Sequence, residues 1–303
     1  MKNEQAKIEV FKLGGAFFEA DIIVNFFKKL NNNQKRLYVV SAIKGITRLL
    51  EIIYFIQIQK NVNKEYKKSV IKISLSEFKK IHLDLIKKLL KNDQQRKISE
   101  KAFSILFKEL KDTVWGEIET LNIYQARILK FGELASSKIL SDYLEFIGHY
   151  NKWLDSRDYL KTSESYIEAE VLQIDPAFKI IFNKFPSLIL QGFIGKTPNG
   201  KDSLLGYDGS DYSATKFANS LLNSEKEIIL TFWKDVNGVY TENPTKNLDA
   251  KLIKKLSRQD YIKNVKKNNS FVVRPDSISS LNKNIKVKIC SYINLDSIGT
   301  EII

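Results

Sequence analysis

Three stretches of the sequence put charged groups beside glycines where a strand gives way to a helix. In Lys12-Leu13-Gly14-Gly15, the β-prone run Ile8–Leu13 stops at a glycine pair and a helical pattern over about Phe17–Leu30 follows. Glycines let a backbone approach a phosphate, a helix N-terminus favours an anion, and Lys12 adds a mobile positive charge. A plain tight turn would use the same two glycines. Gly206-Tyr207-Asp208-Gly209-Ser210-Asp211 is a second such loop, opening a helix over about Tyr212–Leu222. Ser210 stands where it would cap that helix, with Asp211 in the first turn. Read as chemistry, Asp211 organises lysines or Mg²⁺ around a transferring phosphoryl group. Trp233-Lys234-Asp235-Val236-Asn237-Gly238-Val239-Tyr240 follows a third strand, Ile228–Trp233, and ligands of open α/β sheets bind at such carboxyl ends. Glu133, after Gly132, is either a first-turn helix acid or a partner for an amino group.

The elements that would carry these groups alternate. Leu37–Ser41 is a buried-type strand, and the order strand, glycine turn, helix, strand is a βαβ unit. The class is therefore α/β, with a largely parallel sheet. From about Thr47 to Leu140 the pattern is helical, with the lysine-rich stretch Lys60–Lys80 read as a loop or an exposed helix. Asn151–Leu154 is a short strand, Leu188–Gly195 a central strand running into a turn, Pro198-Asn199-Gly200 a hairpin tip, and Ile285–Ile289 a late strand.

Composition removes several function classes. The 303 residues are 43% hydrophobic, enough for a real core. One cysteine, Cys290, and two histidines, His82 and His149, exclude a disulfide framework and a Cys/His zinc site. No apolar run is long enough to span a membrane, and no apolar segment follows the N-terminus, so the expected compartment is the cytoplasm. The net charge of +14 comes from 42 lysines against seven arginines, scattered along the chain. Nucleic-acid readers lean on arginine for bidentate contacts, so the expectation is a solvated lysine-rich surface and no nucleic-acid partner.

Taken together and in order, seven segments resemble the catalytic domain of the aspartate kinases, a branch of the amino acid kinase family. They are Phe11–Gly15, Val40–Thr47, Phe131–Ser136, Leu154–Arg157, Gln191–Gly195, Gly209–Ala214 and Asp235–Thr241. The resemblance implies a three-layer α/β/α sandwich with an open, mainly parallel central sheet. Residues 1–186 would form an amino-acid-binding lobe and residues 187–303 a nucleotide-binding lobe. It implies transfer of the γ-phosphoryl group of ATP, with Mg²⁺, to the side-chain carboxylate of L-aspartate, the first step toward lysine, threonine and methionine. Lys12 and Asp211 would be catalytic. Ser41, Thr47, Glu133 and Ser210 would bind the amino acid, with Glu133 facing its ammonium group. Gly14, Gly15, Thr231 or Lys234, Asp235 and Tyr240 would hold the nucleotide. No protein metal site is implied, and the subunits of such enzymes commonly pair as homodimers.

The sequence also departs from that pattern. Phe17 replaces a hydroxyl residue expected beside the phosphate path. Tyr207 stands where an arginine grips a substrate carboxylate. Thr245 replaces an arginine on the nucleotide side, and Phe271 a lysine, with Arg274 or Lys267 as nearby substitutes. The paired regulatory ACT segments that usually follow are not in this sequence. These departures leave two further expectations open: a kinase with a changed acceptor, and a catalytically inactive partner of an active paralogue.

Overall fold

The computed structural model describes residues 7–30, 34–222, 226–268 and 271–303, with side chains at 266–268 also outside the description. Twelve strands are assigned among these: β1 Lys7–Leu13, β2 Lys35–Val40, β3 Lys152–Trp153, β4 Leu160–Thr162, β5 Val171–Ile174, β6 Ser187–Gln191, β7 Ile194–Lys196, β8 Asp202–Leu204, β9 Glu227–Lys234, β10 Lys255–Leu256, β11 Ile285–Ser291 and β12 Thr300–Ile302. The helices are α1 Ala20–Lys29, α2 Ile46–Ile58, α3 Lys64–Leu89, α4 Asp93–Trp115, α5 Leu121–Leu129, α6 Phe131–Phe146, α7 Ser156–Tyr159, α8 Ala177–Lys184, α9 Gly209–Ser220, α10 Arg258–Asn268 and α11 Pro275–Ser279.

Eight strands form one sheet in the order β10-β12-β11-β9-β1-β2-β6-β3. Every pair is parallel except β11 with β12. Alternation along the strands separates two cores. Phe11, Leu13, Tyr38 and Val40 pack with α1 to α6, whereas Ile8, Val10, Leu37 and Val39 pack with α8 and α9. A sheet buried on both faces by helices is the expected α/β/α sandwich. Four short strands, β5-β4-β7-β8, make a second small sheet.

The order of β1 fixes where a ligand can sit. The chain leaves β1 for β2 on one side and later places β9 on the other. The carboxyl ends of β1 and β9 therefore flank a topological switch point, with Leu13 opposite Trp233.

One open alternative is decided and one expectation needs correction. Of loop and helix, residues 60–80 take the helix: most belong to α3, whose Ile71, Leu75, Phe78, His82, Leu85, Ile86 and Leu89 are buried at helical spacing while its lysines face outward. Phe17 does not stand beside a phosphate path. It is fully buried, edge-on to Phe18, Phe26, Phe27 and Tyr292, and closes a short 3₁₀ turn, Gly15–Phe17, that precedes α1.

Candidate active site

At the switch point, one buried carboxylate meets two lysines. Lys12, near the end of β1, donates to Asp211 at 2.8 Å, and Lys234, the last residue of β9, donates to the other oxygen at 3.0 Å. Asp211 comes from the first turn of α9, where the helix N-terminus also favours a negative charge. Burial pushes the Asp211 carboxyl up, but the two lysines outweigh it and hold it below the usual carboxylate range. Lys12 is lowered in turn, by burial first and by the neighbouring Lys234 ammonium, against the pull of Asp211. One carboxylate cannot compensate two ammonium groups, so the site keeps a surplus of positive charge.

Beside this triad lies a cleft of ≈ 450 Å³, within the range of small-ligand sites. Of the residues expected to bind an amino acid, it brings together Ser41, Thr47, Glu133 and Ser210, along with Lys12 and Gly15. Glu133 sits in the first turn of α6, as one of its two readings has it. Its Oε1 accepts from the Ala42 N–H at 3.2 Å, and its buried Oε2 has no hydrogen-bond partner. Burial raises its carboxyl to about 8, opposed by the Ala42 and Glu133 N–H groups and by the Lys12 charge. A buried carboxyl with an open oxygen in a cleft is built to receive a cation.

The walls are fixed by close backbone contacts. A Cβ on Gly15 would lie 2.6 Å from the Ala42 carbonyl oxygen, so only glycine lets the 41–45 loop settle there. Ser136 Oγ donates to the Ser41 carbonyl at 2.8 Å, joining that loop to α6. Gly192 lies against Ser210, whose Cβ would be 2.7 Å from an added methyl. Ser210 does not cap α9 as expected. The cap position is Asp208, in the left-handed region at φ 52°, and no side chain caps the helix.

Two of the seven motif segments, Leu154–Arg157 and Gln191–Gly195, supply positioning groups to which the sequence assigned no role. Gln191, at the end of β6, accepts from the Ser156 N–H at 2.8 Å and donates to Ser137 Oγ at 2.7 Å, tying α7 and α6 to the sheet. Arg157 bridges Asp155 and Asp202, and Asp202 also pairs with Lys130 at 2.7 Å. Phe193, which lines the cleft, is held at φ 66°. Ser213 Oγ accepts from its N–H at 2.8 Å and keeps this strained residue in place.

A second cavity of ≈ 220 Å³ is lined by Gly238, Tyr240, Asn243, Tyr261 and Phe271 among others. Tyr240 thus reaches a cavity, and so does Phe271. Asp235 is exposed, and Thr231 is buried within β9, opposite Phe11; neither lines either cavity. Of Thr231 and Lys234, Lys234 is the one that meets Asp211. Gly14 lies with its α-carbon beside the Lys12 side chain. Thr245 is exposed and turned back on Asn243. Arg274 is committed to the Leu205 and Tyr207 carbonyls, to Asp276 and to the Tyr212 ring. The Lys267 side chain lies outside the described residues. Tyr207 is 82% exposed at the cleft rim.

A sequence model of the amino acid kinase family matches residues 7–291. The chain belongs to that family. Its curated relatives include aspartokinases. The chain is 26% identical over 291 residues to the chloroplastic bifunctional aspartokinase/homoserine dehydrogenase of Daucus carota, covering 93% of this chain and 30% of that protein. It is 36% identical over 146 residues to the aspartokinase of Chlamydia pneumoniae, 47% of this chain and 32% of that one. It therefore spans roughly a third of the length of these curated relatives. The crystal structure of Escherichia coli aspartokinase III in complex with aspartate and ADP shares the fold, with a TM-score of 0.80 at 21% identity, over 98% of this chain and 64% of that one. This is an aspartokinase-like amino acid kinase, and family membership supports a phosphotransferase. Among the described residues, no helix is long and apolar enough to cross a membrane.

Glu133 yields a prediction on its own. Because its folded pKa lies above the unfolded value, the protonated form is favoured by folding, and stability falls as pH rises from about 4.5 to about 8. Glu133→Gln is expected to raise Tm at pH 9 by several degrees and to change it little at pH 4. Calorimetric melts of both proteins across that range check the sign; equal shifts at the two pH values would contradict it.

Proposed function

We propose that this chain transfers the γ-phosphoryl group of MgATP to the side-chain carboxylate of L-aspartate, opening the route to lysine, threonine and methionine. The observation that carries the reading is the Lys12–Asp211–Lys234 triad, whose Lys12 lines a cleft with an open carboxyl for an ammonium group. The relatives support it by name: they are aspartokinases, and one solved neighbour holds aspartate and ADP.

In this reading the acceptor's ammonium group pairs with Glu133 Oε2, which binding drives to the carboxylate form. Its side-chain carboxylate lies toward Lys12. One carboxylate oxygen attacks the γ-phosphorus, the bond from phosphorus to the β,γ-bridging oxygen breaks, and MgADP leaves with that electron pair. The nucleophile is already ionised, so no proton moves and no general base is required. The barrier falls by in-line placement and by positive charge on the phosphoryl oxygens. Lys12 and Lys234 supply that charge, and Asp211 keeps both ammonium groups at the junction. Tyr240, Asn243, Tyr261 and Phe271 form the nucleotide side. Mg²⁺ would arrive on the ATP phosphates and keep water ligands. Residues 1–186 then supply most of the acceptor side, to which Phe193, Tyr207, Asp208 and Ser210 also contribute, and residues 187–303 the nucleotide side.

A second reading, a changed acceptor, is favoured by Tyr207, whose exposed phenol offers no guanidinium to a carboxylate. An ADP-release assay over a panel of acidic and neutral amino acids tests both. Release stimulated most by L-aspartate supports the first reading; a different best acceptor supports the second; no stimulated release overturns both.

A further inference from the structure

The cleft holds a charge that the proposed reaction does not use. Among the residues lining it, the cations are Lys12 and Lys44, against the carboxyl groups of Glu51, Glu133, Glu168 and Asp208. Lys12 is bound to Asp211. Lys44 is exposed in the cleft and forms no ion pair among the described residues. Its backbone is fixed: the Lys44 N–H donates to the Gly15 carbonyl at 3.0 Å, and two residues earlier the Ala42 N–H holds Glu133. One short loop therefore carries a free cation and the anchor of an open buried carboxyl.

The same loop runs into α2. That 13-residue helix begins at Gly45, held at φ 87°, and no side chain caps its first turn, which includes the cleft residue Thr47. Uncapped first-turn N–H groups and the helix dipole favour an anion. The buried, unpartnered Glu133 Oε2 in this cleft is the independent sign of a ligand, and it calls for a cationic group. A ligand with a cation at Glu133 and an anion at the α2 N-terminus is an α-amino acid.

We propose that Lys44, with the open N-terminus of α2, seats the α-carboxylate of the acceptor and is the specificity-determining cation of this cleft. This rests on the kinase reading above for the identity of the acceptor. The reacting carboxylate and the phosphoryl group occupy the surplus charge of Lys12 and Lys234. The α-carboxylate would otherwise face Glu51, Glu168 and Asp208 unpaired, a like-charge arrangement that a binding site avoids. Lys44 compensates for an absent arginine at position 207 with a point charge rather than a bidentate fork.

The test compares L-aspartate with its α-amide, which keeps the ammonium and side-chain carboxylate but loses the charge that Lys44 would meet. Acyl phosphate formation is followed for the wild type, Lys44→Gln and Lys44→Arg. Lys44→Gln is expected to raise KM for aspartate about 10- to 100-fold, by more than it lowers kcat, with Lys44→Arg recovering most of the loss. KM for the α-amide is expected to be the same in all three proteins. Equal effects of Lys44→Gln on both acceptors, or none on either, overturn the proposal. If the wild type forms no acyl phosphate, the kinase reading fails separately. Titration calorimetry of the two compounds then reads Lys44 directly: a loss of affinity confined to aspartate in Lys44→Gln supports it, and no binding of either compound to the wild type overturns it.

Discussion

Asp211→Asn is expected to lower kcat by about 10³-fold or more and to destabilise the fold by about 3–5 kcal/mol. Asp211 is fully buried and is the partner of both Lys12 and Lys234. The amide keeps the shape and removes the charge. Two ammonium groups then face each other, one of them in a buried position, without compensation. Lys12 responds by losing its proton or swinging away, and either outcome removes positive charge from the phosphoryl path. The pH signature follows from the direction of the shift. A carboxyl held below its unfolded value contributes stability above about pH 4 that is lost as pH falls through the folded pKa. Asp211→Asn should therefore flatten the acid limb of the stability profile. Denaturant melts at several pH values and steady-state kinetics on the same samples check both parts. A variant as stable and as active as the wild type would show that the triad is not the working centre.

The second large effect is expected from one methyl group. In Gly15→Ala, the new Cβ would lie 2.6 Å from the Ala42 oxygen, 3.0 Å from the Lys44 nitrogen and 3.2 Å from the Lys44 Cα, all backbone atoms. Backbone cannot turn aside as a side-chain tip can, so the 41–45 loop must move. That loop carries Ser41, the N–H that holds Glu133, and Lys44, and it leads into Thr47. A displacement of this kind costs about 10²-fold in kcat/KM for the acceptor, because placement supplies much of the rate. Overpacking adds about 1–3 kcal/mol of destabilisation. Nucleotide affinity, measured by titration with MgADP, should change far less, since the ≈ 220 Å³ cavity does not include the loop. Loss of both affinities together would mean that Gly15 serves the nucleotide side instead.

How much of this was legible depends on the kind of signal. Strands β2 and β9 declared themselves as nearly continuous apolar runs, the mark of strands buried on both faces, and β11 by the alternation Ile285-Lys286-Val287-Lys288-Ile289. The first half of helix α3 was left between loop and helix because its many lysines mask the period that Ile71, Leu75, Phe78 and Leu85 keep. The short strands β4, β5, β7 and β8 hold three or four residues each, too few for a period to show. For the site, Lys12, Asp211, Glu133, Ser41, Thr47 and Ser210 were legible as motif positions, and the fold gathers them around one cleft. Asp235 follows Lys234 directly and Thr231 precedes it by three residues, yet of these three only Lys234 meets Asp211. Phe17 looked like a change at the site, yet its ring belongs to the core. Phe193 stands in one of the motif segments, but nothing about a phenylalanine announces its positive φ.

The central claim is that the Lys12–Asp211–Lys234 centre makes an acyl phosphate on an amino acid carboxylate. Hydroxylamine intercepts that product directly, as a hydroxamate, and so separates it from simple ATP hydrolysis. Wild-type protein with MgATP and L-aspartate should accumulate hydroxamate, and Asp211→Asn should leave only background. Folded wild-type protein that gives no hydroxamate with L-aspartate or any other amino acid would contradict the account.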